Sequence, residues 1–197
     1  MKSNICELSQ NTAALSAILE EAEKTAVYAA LDKKQSGRLR LLAEELVGML
    51  PELLHFSTGE FWIEANGKSF ELHTALSPND MMTYELREKL LALSSSGKNA
   101  AATGIMAKIR LAAEFMMIDY SQAAMAMANE GFYLSGIDHN QTFYAAAWSL
   151  NLYREQTKAE QGEPWDELER SVVANIADDV LVGVDGKKVE IIVKKAF

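Results

Sequence analysis

Glu45 is the residue of this sequence whose type and position best suit a general base. It lies beside Leu42, Leu46 and Met49, which recur at helical spacing, so a helical wheel places Glu45 at the edge of an apolar stripe. A carboxylate at that position could act as a general base. The alternative is a solvated carboxylate beside Arg38. Because most glutamates on helix surfaces are structural, the sequence favours that alternative.

A second candidate is the small-residue loop 94–98, which precedes a predicted helix. Gly97 and Lys98, followed by Gly104, would let backbone N–H groups and a lysine hold an anion at a helix N-terminus. The spacing is not that of a Walker A loop, however. Serine- and glycine-rich stretches are also typical of plain connectors, which is the interpretation that the sequence favours.

The histidines and the cysteine give no metal or nucleophile prediction. The histidines are His55, His73 and His139, and none has a Cys or His partner at metal-ligand spacing. Asp138 and His139 look like an acid–base pair, but Asp138 and Gln141 have the spacing of a helix cap and its reciprocal partner, which is favoured. Cys6 has no nearby histidine to activate it.

The clearest structural signal is Asn66-Gly67, the preferred turn of a two-residue β-hairpin. Apolar and polar residues alternate on both sides of it, as a half-buried hairpin requires. The register that this turn sets pairs Ile63 with Phe70, Phe61 with Leu72, Trp62 with Glu71, and Glu64 with Ser69. A second hairpin is predicted around Asp185-Gly186, with Val182 on the same face as Val189 or Ile191.

Helical periodicity fills most of the remaining chain. The predicted helices cover about 8–31, 38–54 with a kink at Pro51, a short segment ending at 93, 99–129, 139–158 and 165–177. Ser36-Gly37 is the predicted break between the first two. The order of helices, hairpin, helices and hairpin predicts an α+β fold, with helices layered on one face of a mainly antiparallel sheet built from the two hairpins.

Composition limits the class of protein. The chain has 197 residues, 49% of them apolar, which suits a single domain over residues 1–197. Its net charge of −9 argues against binding nucleic acid or an anionic membrane surface. A single cysteine, no signal-peptide pattern and no long uncharged apolar stretch favour a cytoplasmic location.

Residues 38–118 resemble the ATP-binding domain shared by histidine kinases, gyrase-type ATPases and anti-sigma-factor kinases, over less than half of the chain. Glu45 stands where that family has the acid of its Glu-x-x-x-Asn helix, and the first hairpin follows in the same order. Gly97, Lys98 and Gly104 resemble the last glycine motif. The resemblance implies a two-layer sandwich with a helical insertion at 119–178 and a closing hairpin at 179–195.

Two departures from the family pattern bear on activity. Met49 replaces the metal-binding Asn, and the segment 74–80 contains no Asp-x-Gly, so both a Mg²⁺ ligand and the acceptor for adenine are missing. The first hypothesis is therefore a non-enzymatic regulatory or interaction protein, bacterial and cytoplasmic, without cofactor or metal.

Two other hypotheses stay open. One is an active ATP- and Mg²⁺-dependent protein kinase that uses Glu45, Gly97, Lys98 and Gly104. The other is a small-ligand binding domain with an unrelated helical fold. The Ala- and Met-rich segment 99–129 predicts either a buried helix or a surface for a protein partner or a homodimer, because methionine packs adaptably at interfaces.

Overall fold

The computed structural model describes residues 1–9, 15–53, 56–78, 148–160, 172–185 and 188–197. Several predictions fall outside these residues. They are the short helix ending at 93, the helix 99–129, the first parts of the helices 139–158 and 165–177, and the candidate residues His55, Gly97, Lys98, Gly104, Asp138, His139 and Gln141.

The described residues form four helices and six strands. The helices are α1 (Leu15–Tyr28), α2 (Lys33–Leu53), α3 (Leu150–Glu160) and α4 (Val172–Ile176). The strands are β1 (Cys6–Leu8), β2 (Phe56–Asn66), β3 (Ser69–Pro78), β4 (Trp148–Ser149), β5 (Asp179–Asp185) and β6 (Lys188–Ala196).

All six strands belong to one antiparallel sheet in the order β1-β2-β3-β6-β5-β4. Both predicted hairpins are therefore confirmed, β2–β3 and β5–β6, and they meet through β3 and β6 at the centre of the sheet. Val182 lies opposite Ile191, as the pattern of the second hairpin predicted.

The hydrophobic core lies between the helices and one face of the sheet. Alternate strand residues and the apolar stripes of the helices form one buried cluster, since each element needs a partner for its apolar side. Its largest buried side chains are Phe61, Phe70, Ile18, Leu39, Leu42, Leu46, Leu50, Ile63, Leu72 and Leu76. The predicted α+β class, with helices layered on a sheet, is confirmed.

The predicted boundary between the first two helices is wrong. Helix α1 ends in a Schellman motif, in which the N–H groups of Ala30 and Leu31 bond back to the carbonyls of Val27 and Ala26. Ala30 takes the left-handed conformation, with φ of 50°, that glycine usually supplies. Because no Gly stands at that place, the residue types there do not indicate the end of a helix.

Helix α2 begins with a capping box rather than after Ser36-Gly37. The backbone N–H of Gln35 donates to Asp32 Oδ1 over 2.8 Å, and the N–H of Asp32 donates to Gln35 Oε1 over 3.1 Å. Two otherwise unsatisfied donors are thereby bonded, so Gly37 is accommodated inside the helix. Pro51 lies in the last turn of α2.

The helix predicted over 8–31 is also wrong at its start, because Cys6–Leu8 pair with Phe61, Glu60 and Gly59 as strand β1. Similarly, the predicted helix 139–158 is wrong at Trp148–Ser149, which form β4. Ser149 and the carboxylate of Asp179 accept the N–H groups of Leu152 and Asn151, which starts α3 at Leu150.

In the first hairpin, the partner of each β2 residue lies two residues further along β3 than predicted. Asn66 pairs with Ser69, Glu64 with Glu71, and Ile63 with Leu72. All four predicted pairs, including Phe61–Leu72 and Trp62–Glu71, are therefore wrong. The loop consists of residues 67–68, and Gly67 alone has a positive φ, of 60°. Glycine at the first loop position is typical of a type II′ turn, whereas the prediction assumed type I′.

Candidate functional site

The second face of the sheet, opposite the core, carries a row of charged side chains across three strands and the N-terminal segment. Lys2 bridges to Glu64 of β2, Glu64 lies opposite Glu71 of β3, and Glu71 lies opposite Lys194 of β6. Two carboxylates directly opposite each other repel and destabilise a sheet unless cations compensate. The two lysines supply this compensation, with Nζ 3.3 Å from Glu64 Oε1 and 3.2 Å from Glu71 Oε1.

The adjacent row places His73 beside these carboxylates. His73 lies opposite Trp62, and the two rings stack with centroids 4.9 Å apart and planes 8° from parallel. The stacking holds the imidazole in one orientation, from which Nε2 lies 3.4 Å from Glu71 Oε2. Glu64, Glu71 and His73, here called the Glu–Glu–His cluster, offer ligand atoms that all lie within 4.8 Å of one another.

His73 is a buried polar side chain without a hydrogen bond at Nε2. Only 8% of the residue is exposed, and Nε2, although 3.4 Å from Glu71 Oε2, makes no hydrogen bond of normal geometry. Burial lowers the pKa of the imidazole, although the charges of Glu64, Glu71 and Glu190 and the close polar contact with the Glu71 carboxylate oppose this. A neutral imidazole has one ring nitrogen with a lone pair, which can bind a metal cation.

Trp62 contacts two members of the cluster, His73 and Glu64. Its indole Nε1–H donates to Glu64 Oε1 over 3.0 Å, and the Lys2 ammonium lies 4.4 Å from the centroid of its ring. Burial alone would raise the pKa of Glu64, but the hydrogen bonds from Trp62 and Lys2 outweigh it and lower that pKa. Glu64 is therefore ionised and fixed in place at neutral pH.

Glu45, the predicted general base, lies elsewhere. It is half-buried on α2, the helix whose apolar residues Leu42 and Leu46 pack on the core face of the sheet. Met49, one turn later, is partly buried against the same core. Glu45 is thus at the edge of the apolar stripe, as predicted, and on the opposite side of the sheet from the Glu–Glu–His cluster.

Cys6 is half-buried on β1. Burial, together with the charge of Glu21, raises the pKa of its thiol and keeps it protonated at neutral pH. A protonated thiol is a weak nucleophile.

The Glu–Glu–His cluster was missed because Glu64 joins Glu71 and His73 only across the hairpin. A search for Cys or His partners along the chain cannot find a carboxylate on the opposite strand. The predicted register separated the residues further, since it placed Ser69 opposite Glu64. The signal that was available was the period-two alternation, which puts His73, Glu71, Glu64 and Trp62 on one face.

Comparison of this chain with protein-family models, with curated proteins and with solved structures finds no match. Among the helices that the structure describes, none has both the length and the apolar character required to cross a membrane.

Proposed function

We propose that this protein is a non-enzymatic regulator that binds a protein partner and is built on a degenerate histidine-kinase-type ATPase scaffold. The order of elements supports this proposal. A helix carrying Glu45 precedes hairpin β2–β3, and the later hairpin β5–β6 joins the same sheet through pairing of β3 with β6. This is the order that the sequence resemblance implies.

Met49 is the observation that carries the non-enzymatic part of the proposal. It stands one helical turn after Glu45, where the family has the metal-binding Asn, and its side chain packs partly buried against the core. Mg²⁺ takes oxygen ligands in near-octahedral geometry, and a thioether is a poor ligand for so hard a cation. A nucleotide site at α2 would accordingly lack one of its metal ligands.

Calorimetry with ATP and Mg²⁺ on the full chain tests this part. We expect no Mg²⁺-dependent binding and no phosphate release. Micromolar binding that is lost in Gly104→Val, together with phosphate release, would instead establish the kinase alternative with its ATP and Mg²⁺. Glu45→Gln would then abolish phosphate release, and Glu44→Gln, an exposed neighbour on the same helix, is the matched control.

Two exposed apolar side chains support binding of a protein partner. Val27 and Tyr28 are adjacent at the end of α1, with 79% and 73% of each residue exposed. Exposed aromatic and aliphatic groups that lie together are characteristic of the centre of an interface. In a cytoplasmic setting, this surface would be covered by a partner or by a second copy of the chain.

Light scattering across a concentration series tests the homodimer form of this proposal. We expect Val27→Lys with Tyr28→Ser to shift a concentration-dependent dimer to monomer. Ser16→Lys, at an exposed position near the start of the same helix, is the matched control for added charge. A dimer that the double variant leaves unchanged would exclude this surface.

A further inference from the structure

We propose that Glu64, Glu71 and His73 form a binding site for a divalent transition metal, with Zn²⁺ as the ion that their donor atoms fit. The site lies on the sheet face opposite helix α2, so it goes beyond the proposed function and does not depend on it. No part of the nucleotide or dimer hypotheses uses these residues.

The spacing of the donor atoms suits a small tetrahedral ion. Zn²⁺ binds imidazole nitrogen and carboxylate oxygen at about 2.0–2.2 Å, so two ligands of a tetrahedral ion lie roughly 3.3 Å apart. His73 Nε2 and Glu71 Oε2 are 3.4 Å apart, and the atoms of the whole cluster lie within 4.8 Å. The His73 and Glu71 atoms are thus already spaced as two ligands of one ion. Rotation of the partly exposed Glu64 side chain would bring the third ligand atom to the same spacing.

Each glutamate has a second carboxylate oxygen that can coordinate a metal ion. The contacts of Glu64 with Trp62 and Lys2 use Oε1, and the contact of Glu71 with Lys194 also uses Oε1. Glu71 Oε2 is the oxygen beside His73 Nε2. The lysines therefore hold one oxygen of each glutamate, and the second oxygen of each can act as a monodentate ligand.

The buried imidazole provides the independent evidence for a cation. His73 Nε2 is shielded from water, lacks a hydrogen bond in the described part of the chain, and sits beside a carboxylate oxygen. Leaving such an atom unsatisfied costs about 1–3 kcal/mol. A cation between the nitrogen and the oxygen removes this cost by accepting a lone pair from both.

Trp62 has the role of an outer-sphere partner. It stacks on the ligand His73 and donates to the ligand Glu64, so it fixes both in orientation. Partners of this kind increase metal affinity by orienting the ligands. The ligand types also choose the ion, because imidazole with carboxylates suits zinc, whereas Ca²⁺ and Mg²⁺ require six or more oxygens. Three protein ligands leave a fourth position for water.

Isothermal calorimetry with Zn²⁺ on the full chain is the first test, with Co²⁺ absorption as a report of tetrahedral ligands. We expect one ion per chain. His73→Gln and Glu71→Gln should each weaken binding by more than about 100-fold, and Trp62→Phe, which keeps the stack but removes the donor, by about tenfold. Circular dichroism verifies that each variant is folded. Mg²⁺ and Ca²⁺ should not compete.

A matched control is present on the same strand. Glu60 lies on the same face of β2 and has its own ion pair with Lys188, at 3.2 Å, but is outside the cluster. Glu60→Gln should leave the affinity for Zn²⁺ unchanged. Equal loss in Glu60→Gln and Glu71→Gln would mean diffuse binding to an acidic surface and would overturn the proposal.

Lys194→Gln distinguishes a metal site from a plain ion-pair ladder. The variant removes a cation that competes for Glu71, so a metal site should bind Zn²⁺ several-fold more tightly. If the row of charges consists only of ion pairs and binds no metal, Lys194→Gln lowers thermal stability and Zn²⁺ does not restore it. That result, or unchanged Zn²⁺ binding in His73→Gln, would refute the site.

Discussion

The register of hairpin β2–β3 can be tested at the two residues of its predicted turn. In the observed type II′ turn, Gly67 has a positive φ, and Asn66 is an extended strand residue paired with Ser69. Alanine should therefore be costly at 67 and tolerated at 66. In the type I′ turn that the sequence predicted, both residues would need a positive φ, and both substitutions would be costly.

The expected magnitude follows from the surroundings of Gly67. A Cβ added there meets no atom within 4 Å, so the cost of Gly67→Ala is conformational rather than steric. An L-residue in this sparsely populated, positive-φ conformation costs about 1–3 kcal/mol, and the stiffer unfolded chain offsets about 0.4–1 kcal/mol. We expect a net loss of about 1 kcal/mol for Gly67→Ala and a change within about 0.5 kcal/mol for Asn66→Ala.

Urea unfolding followed by circular dichroism measures both free energies. Backbone NOEs provide a second readout, since they should connect Glu64 to Glu71 and not to Ser69. Equal costs at 66 and 67, with NOEs from Glu64 to Ser69, would refute the observed register. The same result would separate the carboxylates of the Glu–Glu–His cluster, so this experiment also bears on the metal proposal.

Three further predictions concern the ends and the anchoring of the first two helices. Ala30→Gly should stabilise the protein by about 1 kcal/mol in thermal unfolding, because it relieves the left-handed strain at the end of α1, and destabilisation would contradict the Schellman geometry. Asp32→Ala should cost about 1 kcal/mol by loss of the α2 cap, with Lys33→Ala as a control that should change little. Burial raises the pKa of Glu21, but hydrogen bonds from Lys24 and Asn4 outweigh it and lower that pKa. The ionised Glu21 carboxylate therefore stabilises the fold above about pH 4.3, and this contribution is lost as the pH falls through the lower pKa of the folded state. Glu21→Gln should therefore flatten the dependence of the melting temperature on pH below about 5, and an unchanged slope would contradict this.

The elements with strong local patterns could be predicted from the sequence. Alternation of apolar and polar residues gave both hairpins and the core face, including Phe61, Ile63, Phe70 and Leu72. The helix boundary at 29–32 was missed, although Asp32 and Gln35 have the spacing of a capping box, which marks the start of α2. The end of α1 has no comparable signal, because Ala30 adopts a conformation that its side chain disfavours. Strand β1 was not predicted, and its last residue, Leu8, was assigned to a helix, because three residues are too short to show a period.

The candidate site could be predicted only in part. The position of Glu45 at the edge of the apolar stripe was correct, since it depends on helical spacing alone. The neighbourhood of His73 depends on which of two turn types the Asn66-Gly67-Lys68 segment adopts, and both are compatible with its residue types. The two registers differ by two residues along β3, which leaves every side chain on the same face. The hydrophobic pattern therefore cannot distinguish them.

The central pairing of β3 with β6 has a consequence for synthesis on the ribosome. Thr74 donates to the carbonyl of Ile191, 117 residues later. Strand β3 therefore waits for its partner β6 until that part of the chain has been synthesised. At about 5–20 residues per second, the wait is roughly 6–23 s. For that time one edge of β3 presents unpaired amides and carbonyls that another nascent chain can pair with. The yield of folded protein should thus depend on elongation rate and on chaperones that cover strand edges.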